Sequence, residues 1–218
     1  MSIQKRCIIA AVLMLPLLLS VSAKAQFYEL GVRGGVNLST LSNTDSDHYE
    51  TGYDTGYHFS VFLNVGLFRL PVAIQPEVTY TRLGMRYDGT PHFGIGGPGQ
   101  HPDATLRIEY VQIPVLLKYY FPVPGFLDPN LFAGPYLGFR AGGEYTYPGR
   151  EEGPLEIDNL IRENDYGLIL GAGTEVRLLV TTVHLEARFT VGLENVYESF
   201  FDNGEKNRAI TFSAGFVF

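Results

Sequence analysis

The sequence predicts an all-β fold, an eight-stranded antiparallel up-and-down transmembrane β-barrel, and three observations lead to it. Apolar and polar residues alternate in eight separate segments, the chain begins with an export signal, and no later apolar run is long enough for a membrane-spanning helix. Alternate side chains of a strand point to opposite faces of its sheet. A sheet with one apolar and one polar face can separate lipid from a polar interior, as in outer-membrane barrels.

The alternation is clearest between Val183 and Gly192, where apolar and polar residues exchange at every position. His184, Glu186 and Arg188 share the polar face of this segment. The same period of two predicts strands near residues 27–37, 57–68, 72–87, 106–121, 130–143, 166–178, 182–196 and 208–218. Phe62 is an exception in the second segment, because this apolar residue lies on the same predicted face as the polar residues Ser60 and Asn64.

The first 25 residues have the features of a secretory signal peptide. Lys5 and Arg6 precede an apolar run over residues 8–19, and Ala23-Lys24-Ala25 offers a small-x-small cleavage site. We therefore expect a signal peptide at 1–25 and one outer-membrane β-barrel domain at 26–218, located in the cell outer membrane. The single cysteine, Cys7, lies within the signal, so the mature chain is expected to have no disulfide and no cysteine nucleophile.

The predicted connections alternate between long and short, which is typical of barrels with long external loops and short periplasmic turns. The longest loops are 38–56, 88–105 and 144–165, and acidic residues concentrate in the first and third: Asp45, Asp47, Glu50, Asp54, Glu151, Glu152, Glu156, Asp158 and Glu163. Because these loops exceed what strand connection requires, we expect them to contact an external partner. The formal charge of −7, which becomes about −10 without the signal peptide, argues against nucleic acid as a partner.

Proline and a change of phase predict irregular strands. Pro76, Pro114 and Pro135 each remove a hydrogen-bond donor from a predicted strand, and a β-bulge is the expected accommodation. In the fourth strand, the apolar residues up to Tyr110 have one phase and those from Val111 onward have the other. We therefore predict a bulge in this strand near residues 110–112.

The polar face collects five basic and four acidic side chains, which we expect to form a charge network in the lumen: Glu29, Arg33, Glu77, Lys118, Arg140, Glu175, Arg177, Glu186 and Arg188. Charges in a poorly solvated interior must pair. An eight-stranded barrel has room for its own side chains or one small ligand, which argues against a diffusion pore. A narrow channel remains an alternative. A soluble lipocalin-like carrier, with the apolar face inside, is the competing fold.

Motifs for catalysis or cofactor binding are incomplete. The glycine pattern at 94–99 matches a dinucleotide fingerprint, but no strand and helix surround it. His92, His101 and Asp103 share one loop without the spacing of a metal site. His58 and Ser60 share a strand face, where residues two apart are about 7 Å from each other, too far for nucleophile activation. We predict no catalytic residue, metal or cofactor; a lipid-modifying enzyme is the remaining enzymatic alternative.

Several motifs resemble the PorT-like outer-membrane β-barrel family, also called porin family proteins. They are residues 31–37 (GVRGGVN), 74–80 (IQPEVTY), 110–120 (YVQIPVLLKYY), 167–173 (GLILGAG) and the closing 212–218. The resemblance implies the barrel fold and contact with outer-membrane lipids, but no shared catalytic set. It also implies that Phe212, Phe216 and Phe218 act as a C-terminal signal for the barrel assembly machinery. A secretion-associated role is a further alternative that the family name suggests.

Overall fold

The computed structural model describes residues 28–42, 50–67, 70–88, 104–146, 155–156, 161–196 and 204–218. Its strands are β1 (Tyr28–Ser42), β2 (Glu50–Gly66), β3 (Val72–Asp88), β4 (Ala104–Tyr120), β5 (Leu127–Thr146), β6 (Leu155–Glu156), β7 (Asn164–Arg177), β8 (Thr182–Gly192) and β9 (Lys206–Val217). Within these residues, no helix has the length and apolar character needed to cross a membrane. The predicted signal peptide lies outside the described residues.

The eight long strands form a closed antiparallel barrel. Each pairs with the next along the chain, and β9 returns to pair with β1, where Val32 lies opposite Phe216. The backbone N–H of Phe218 donates to the carbonyl of Leu30 at 2.7 Å, at the end of this closing seam. The two-residue β6 pairs with the end of β5. The eight-stranded barrel predicted from the alternation is confirmed.

The alternation also identifies the inside of the barrel. Leu185 and Phe189 are exposed on the outer wall, whereas Glu186 and Arg188 are buried in the lumen. Phe62, the exception in the second predicted strand, is buried in the lumen as its phase requires. The apolar face is therefore outside, which is the arrangement of a membrane barrel and the reverse of a lipocalin-like carrier.

The strands extend further toward the long loops than the sequence indicated. β1 continues to Ser42 and β2 begins at Glu50, so residues 43–49 connect them, and the predicted loop 38–56 was too long. Glu50 and Asp54 belong to β2, and Asp54 is buried. The other long connections occupy residues 89–103, 147–163 and 193–205, and the second of these includes β6. Polar residues such as Glu50 and Asp54, which predicted a loop, lie in a strand because the strands extend beyond the apolar part of the outer wall.

The predicted bulge was assigned to the wrong strand. β4 keeps one register with β3 throughout, and its even-numbered residues from Leu106 to Lys118 all point inward. The irregularity lies in the partner strand, because Glu109 faces Gly142 while Tyr110 faces Arg140, which leaves Ala141 as the extra residue of β5. A second bulge lies in β2, between Tyr53 and His58. The apolar residues of β4 change phase because its first half faces an apolar part of the lumen, while the backbone of β4 stays regular.

The bulges expected at the prolines are absent from the described strands. The register of β3 against β4 is the same on both sides of Pro76 and Pro114. The register of β4 against β5 is likewise unchanged across Pro135. A missing donor removes local pairing without adding a residue to the strand, so the ladder resumes in the same register.

Candidate functional site: the charged lumen

Four charged side chains meet at the centre of the lumen. Arg33 of β1 contacts Glu77 of β3, with Nη2 2.5 Å from Oε1, and Glu186 of β8, with Nη1 3.0 Å from Oε2. Arg188 of β8 donates to both carboxylate oxygens of Glu77 at 2.8 and 3.0 Å, and it also contacts Glu186. Each arginine therefore bridges two buried carboxylates. We call Arg33, Glu77, Glu186 and Arg188 the central quartet.

A second charged group lies nearer the short turns. Glu175 of β7 accepts a hydrogen bond from the Tyr120 hydroxyl at 2.8 Å, and the Nζ of Lys118 lies 3.7 Å from the same carboxylate. His184 connects this group to the central quartet, because its Nε2 lies 2.8 Å from Glu186 and its Nδ1 3.6 Å from Glu175. Lys118 also lies above the rings of Tyr120 and Phe132. Its ammonium is thus enclosed by a carboxylate and two aromatic faces.

Six of the nine predicted lumen residues form these two groups, and three lie elsewhere. Glu29 is exposed at the short-turn end, with Oε2 3.5 Å from the Asn64 amide nitrogen. Arg177 is exposed at the same end and pairs with Asp128 at 2.7 Å. Arg140 lies at the β5 bulge, toward the long loops. Glu29 and Arg177 are near the ends of β1 and β7, whereas Arg140 lies beside the bulge within β5.

A polar cluster nearer the long loops was not predicted. The Tyr136 hydroxyl donates to Asp165 Oδ2 at 3.0 Å, and Asn207 donates to the same oxygen at 3.1 Å. Asn207 also lies 3.4 Å from the Tyr110 hydroxyl. The predicted segments leave Asp165 in a loop and Asn207 before the last strand, so neither entered the lumen set. His184 is on the polar face in the sequence, but only its contacts reveal its bridging position.

An apolar cluster closes the lumen at the long-loop end. It consists of Leu41, Leu83, Met85, Leu106, Ile108, Tyr110, Ile161, Val196 and Ala209. Ile161 and Val196 come from connections rather than strands, and the Arg162 N–H donates to the Val196 carbonyl at 2.9 Å. The Val196 N–H in turn donates to the Glu205 carbonyl at 2.9 Å. Two connections thus insert apolar side chains into the mouth of the barrel. The first half of β4 is apolar on its inward face for this reason.

A cavity of about 20 Å³ lies between the central quartet and the apolar cluster, bordered by His58, Thr79, Gln112 and Arg188 among others. This is about the volume of one water molecule. The Ser60 hydroxyl bonds that of Thr79 at 2.7 Å, and neither ring nitrogen of His58 has a hydrogen-bond partner within the described residues. Ser60 and His58 are therefore not hydrogen-bonded to each other.

The loop motifs considered in the sequence lie outside the described residues: His92, His101, Asp103 and the glycine pattern at 94–99. Across the part of the chain that the structure describes, no group of three or more His, Cys, Asp and Glu side chains could hold a metal ion. The charged lumen is therefore the candidate site that the geometry defines. Its carboxylates are paired with arginine, lysine and histidine.

Comparison with known proteins places the chain in a family. The outer membrane protein beta-barrel domain matches residues 22–198. A major outer membrane protein from Thermus thermophilus is similar in structure, with 13% identity, 88% of this chain and 99% of that chain covered, and a TM-score of 0.54. The Neisserial surface protein A gives 15% identity, coverage of 86% and 95%, and a TM-score of 0.47.

A third similar structure is Ail, the attachment invasion locus protein of Yersinia pestis, solved with the heparin analogue sucrose octasulfate. It gives 12% identity, coverage of 88% and 100%, and a TM-score of 0.45. No curated protein matches the sequence. The family match spans most of the chain, and it agrees with the closed barrel and its apolar outer wall. The chain belongs to the outer membrane protein beta-barrel domain family and resides in the outer membrane.

Proposed function

We propose that this protein is a non-enzymatic, non-conducting outer-membrane barrel that acts through its external loops. The central quartet carries the proposal, because its four buried side chains cross the lumen and occupy its centre. Paired charges that span a narrow barrel act as a polar core. Such a core holds the wall together and leaves no free carboxylate or cation for a ligand.

The contents of the rest of the lumen support a closed barrel. The apolar cluster, including Ile161 and Val196, fills the end toward the long loops. Lys118, His184 and Glu175 fill the end toward the short turns, and each is buried. The cavity beside His58 has room for about one water molecule. A hydrated ion would have to displace several packed side chains to pass.

The loops provide the surface for an external partner. Residues 43–49, 89–103 and 147–163 connect strands that tight turns of a few residues would suffice to join. Their acids include Asp45, Asp47, Glu151 and Glu152, so the partner we propose has a basic or cation-bridged surface.

Planar-bilayer recordings test the closed lumen. The purified barrel is expected to give no discrete current steps. The same recordings are made on the variant E186Q/R188Q, which removes one acid and one base of the central quartet, and its currents are compared with those of the unaltered barrel. Steps from the unaltered protein would favour the second candidate, a narrow channel, for which the aligned lumen charges are the supporting observation. Those steps would overturn the non-conducting role.

Loop replacement tests the surface role. Residues 147–154 are exchanged for a Gly/Ser linker of the same length, and heat-modifiable gel migration verifies barrel assembly. We expect weaker binding of the cells to basic surface ligands, and a smaller effect from E151Q/E152Q, which changes the charge alone. Unchanged binding and envelope integrity after replacement of each long loop would contradict the proposal.

The remaining roles have their own tests. The secretion-associated, PorT-like role is supported by sequence resemblance alone, and a deletion strain with normal secretion would remove it. The non-enzymatic assignment is supported by the Ser60 hydroxyl, which bonds Thr79 and not His58. An altered lipid profile in a Ser60→Ala strain would contradict this assignment.

A further inference from the structure

The short-turn end of the barrel carries large apolar side chains at its tips. The turns at residues 67–71, 121–126 and 178–181 join β2 to β3, β4 to β5, and β7 to β8. Their most exposed large apolar side chains are Leu70 (65%), Phe126 (62%), Leu179 (106%) and Val180 (96%). Leu179 and Val180 are the most exposed large apolar residues of the described chain. A turn projecting into water would be expected to carry polar residues instead.

The long-loop end has the opposite character. The outer wall becomes charged there before its strands end, with Arg82 Nη2 3.1 Å from Glu144 Oε1 and Arg107 Nε 2.9 Å from Asp54 Oδ2. β3, β4 and β5 extend beyond these ion pairs. The apolar outer surface therefore stops short of the strand ends at the long loops. At the short turns it continues beyond them.

The apolar tips are continuous with the lipid-facing wall. Leu178, the first residue after β7, and Leu127, the first residue of β5, are both exposed and join the tips to the wall above. Phe216 and Phe218 continue the same surface on β9 and at the chain end. The nearby ion pair of Arg177 and Asp128 comes from residues at the lumen mouth.

We infer that the short-turn rim, defined as Leu70, Phe126, Leu179 and Val180, is inserted into the phospholipid of the periplasmic leaflet. The two interfacial regions together add about 10–15 Å to the hydrocarbon core of a bilayer, or about 5–8 Å on each side, which gives the tips room to enter one of them while their backbone still meets water. Inside the turns, the Leu178 N–H donates to the Thr181 carbonyl and the Leu70 N–H to the Leu67 carbonyl. These bonds reduce the number of polar groups that need hydration. The barrel thus lies low in the membrane, with its projecting wall on the cell exterior.

Tryptophan fluorescence tests this placement, because the chain contains no tryptophan. L179W places a single fluorophore at a turn tip, in the full mature barrel folded into phosphatidylcholine vesicles. L185W, on the lipid-facing wall, is the control for full immersion, and T146W, at the exposed end of β5, is the control for water. Quenching is measured with brominated phosphatidylcholine and with iodide equilibrated on both sides of the membrane.

We expect L179W to be quenched by brominated lipid to an extent closer to L185W than to T146W, with a blue-shifted emission and weak iodide quenching. Strong iodide quenching without brominated-lipid quenching would overturn the inference, and the rim would then be a surface for a periplasmic protein. V180W repeats the measurement at the adjacent tip residue. Heat-modifiable migration establishes that each variant is folded before its spectrum is compared.

Discussion

Arg33 and Glu77 meet across the lumen from strands that are not neighbours, with Nη2 2.5 Å from Oε1 and both side chains fully buried. β2 lies between their strands, and the Arg33 guanidinium crosses above the ring of Phe62 from that strand, 4.8 Å from its centroid. This ion pair therefore joins β1 to β3 directly, in addition to the backbone ladders. It makes barrel stability depend on contacts through the interior.

Removing one member of this pair should be costly. In E77Q, Arg33 and Arg188 would share the single carboxylate of Glu186, and one buried positive charge would lose its partner. Breaking a buried ion pair typically costs about 3–5 kcal/mol. We expect the free energy of unfolding to fall by about this amount. Urea unfolding of the barrel in lipid vesicles, followed by intrinsic tyrosine fluorescence or gel migration, measures it.

A matched control is available on the outer wall. Glu109 pairs with Arg82 at 3.5 Å, and both side chains are more than a quarter exposed. Exposed pairs contribute about 0–1 kcal/mol, so E109Q should change stability by no more than that. Equal losses for E77Q and E109Q would mean that the buried pair has no special contribution.

The sequence predicted the fold well because a barrel wall has one simple rule. Lipid outside and a polar lumen inside require a period of two, and Val183 to Gly192 follow it without exception. The rule failed where the lumen is not polar. Leu106 and Ile108 point inward into the apolar cluster, and the bulge of β4 predicted from their phase is wrong. Periodicity gives the face of a side chain, but not the chemistry of its surroundings.

The contacts within the lumen could not be predicted for a different reason. Which inward residues meet depends on the register of all eight strands, and one bulge displaces every later contact. Glu29 and Glu175 had the same inward phase, but only Glu175 is buried beside Lys118. His184 bridges two carboxylates because β8 places it between β7 and the quartet, and no local pattern encodes that position.

Gly35 should be intolerant of a side chain. A Cβ at this position would lie 2.1 Å from the carbonyl oxygen of Phe212, a backbone atom of the closing strand that cannot rotate away. Overpacking typically costs about 1–3 kcal/mol, and a backbone clash belongs at the upper end or beyond. We expect G35A to lower the heat-modifiable folded fraction. G142A is its control, because a Cβ there meets only the Glu109 side chain at 3.6 Å; equal folded fractions for the two variants would contradict the expectation.

Phe218 allows assembly to be separated from stability. Its backbone N–H bonds Leu30 at the closing seam, while its ring is exposed on the outer wall. If the terminal phenylalanine is read by the assembly machinery, F218A should reduce the amount of barrel in the outer membrane without reducing the stability of refolded protein. F189A removes another phenylalanine ring of the lipid-facing wall, within β8, and should assemble normally. A parallel loss of membrane-inserted barrel in both variants would assign the effect to lost lipid contact.

Glu205 should make the long-loop end sensitive to pH. Burial raises the pKa of this carboxyl group from 4.5 to about 7. The backbone carbonyl of Glu205 accepts a hydrogen bond from the N–H of Val196, a residue of the apolar cluster. A raised pKa in the folded state means that the folded form binds the proton more tightly, so its stabilising effect is complete below pH 4.5 and is lost as the pH rises through about 7. Hydrogen exchange at the Val196 amide, corrected for its intrinsic rate, should therefore show less protection at about pH 8 than at about pH 5. E205Q removes the titration and should give nearly constant protection, whereas the same pH dependence in E205Q would exclude Glu205 as its source.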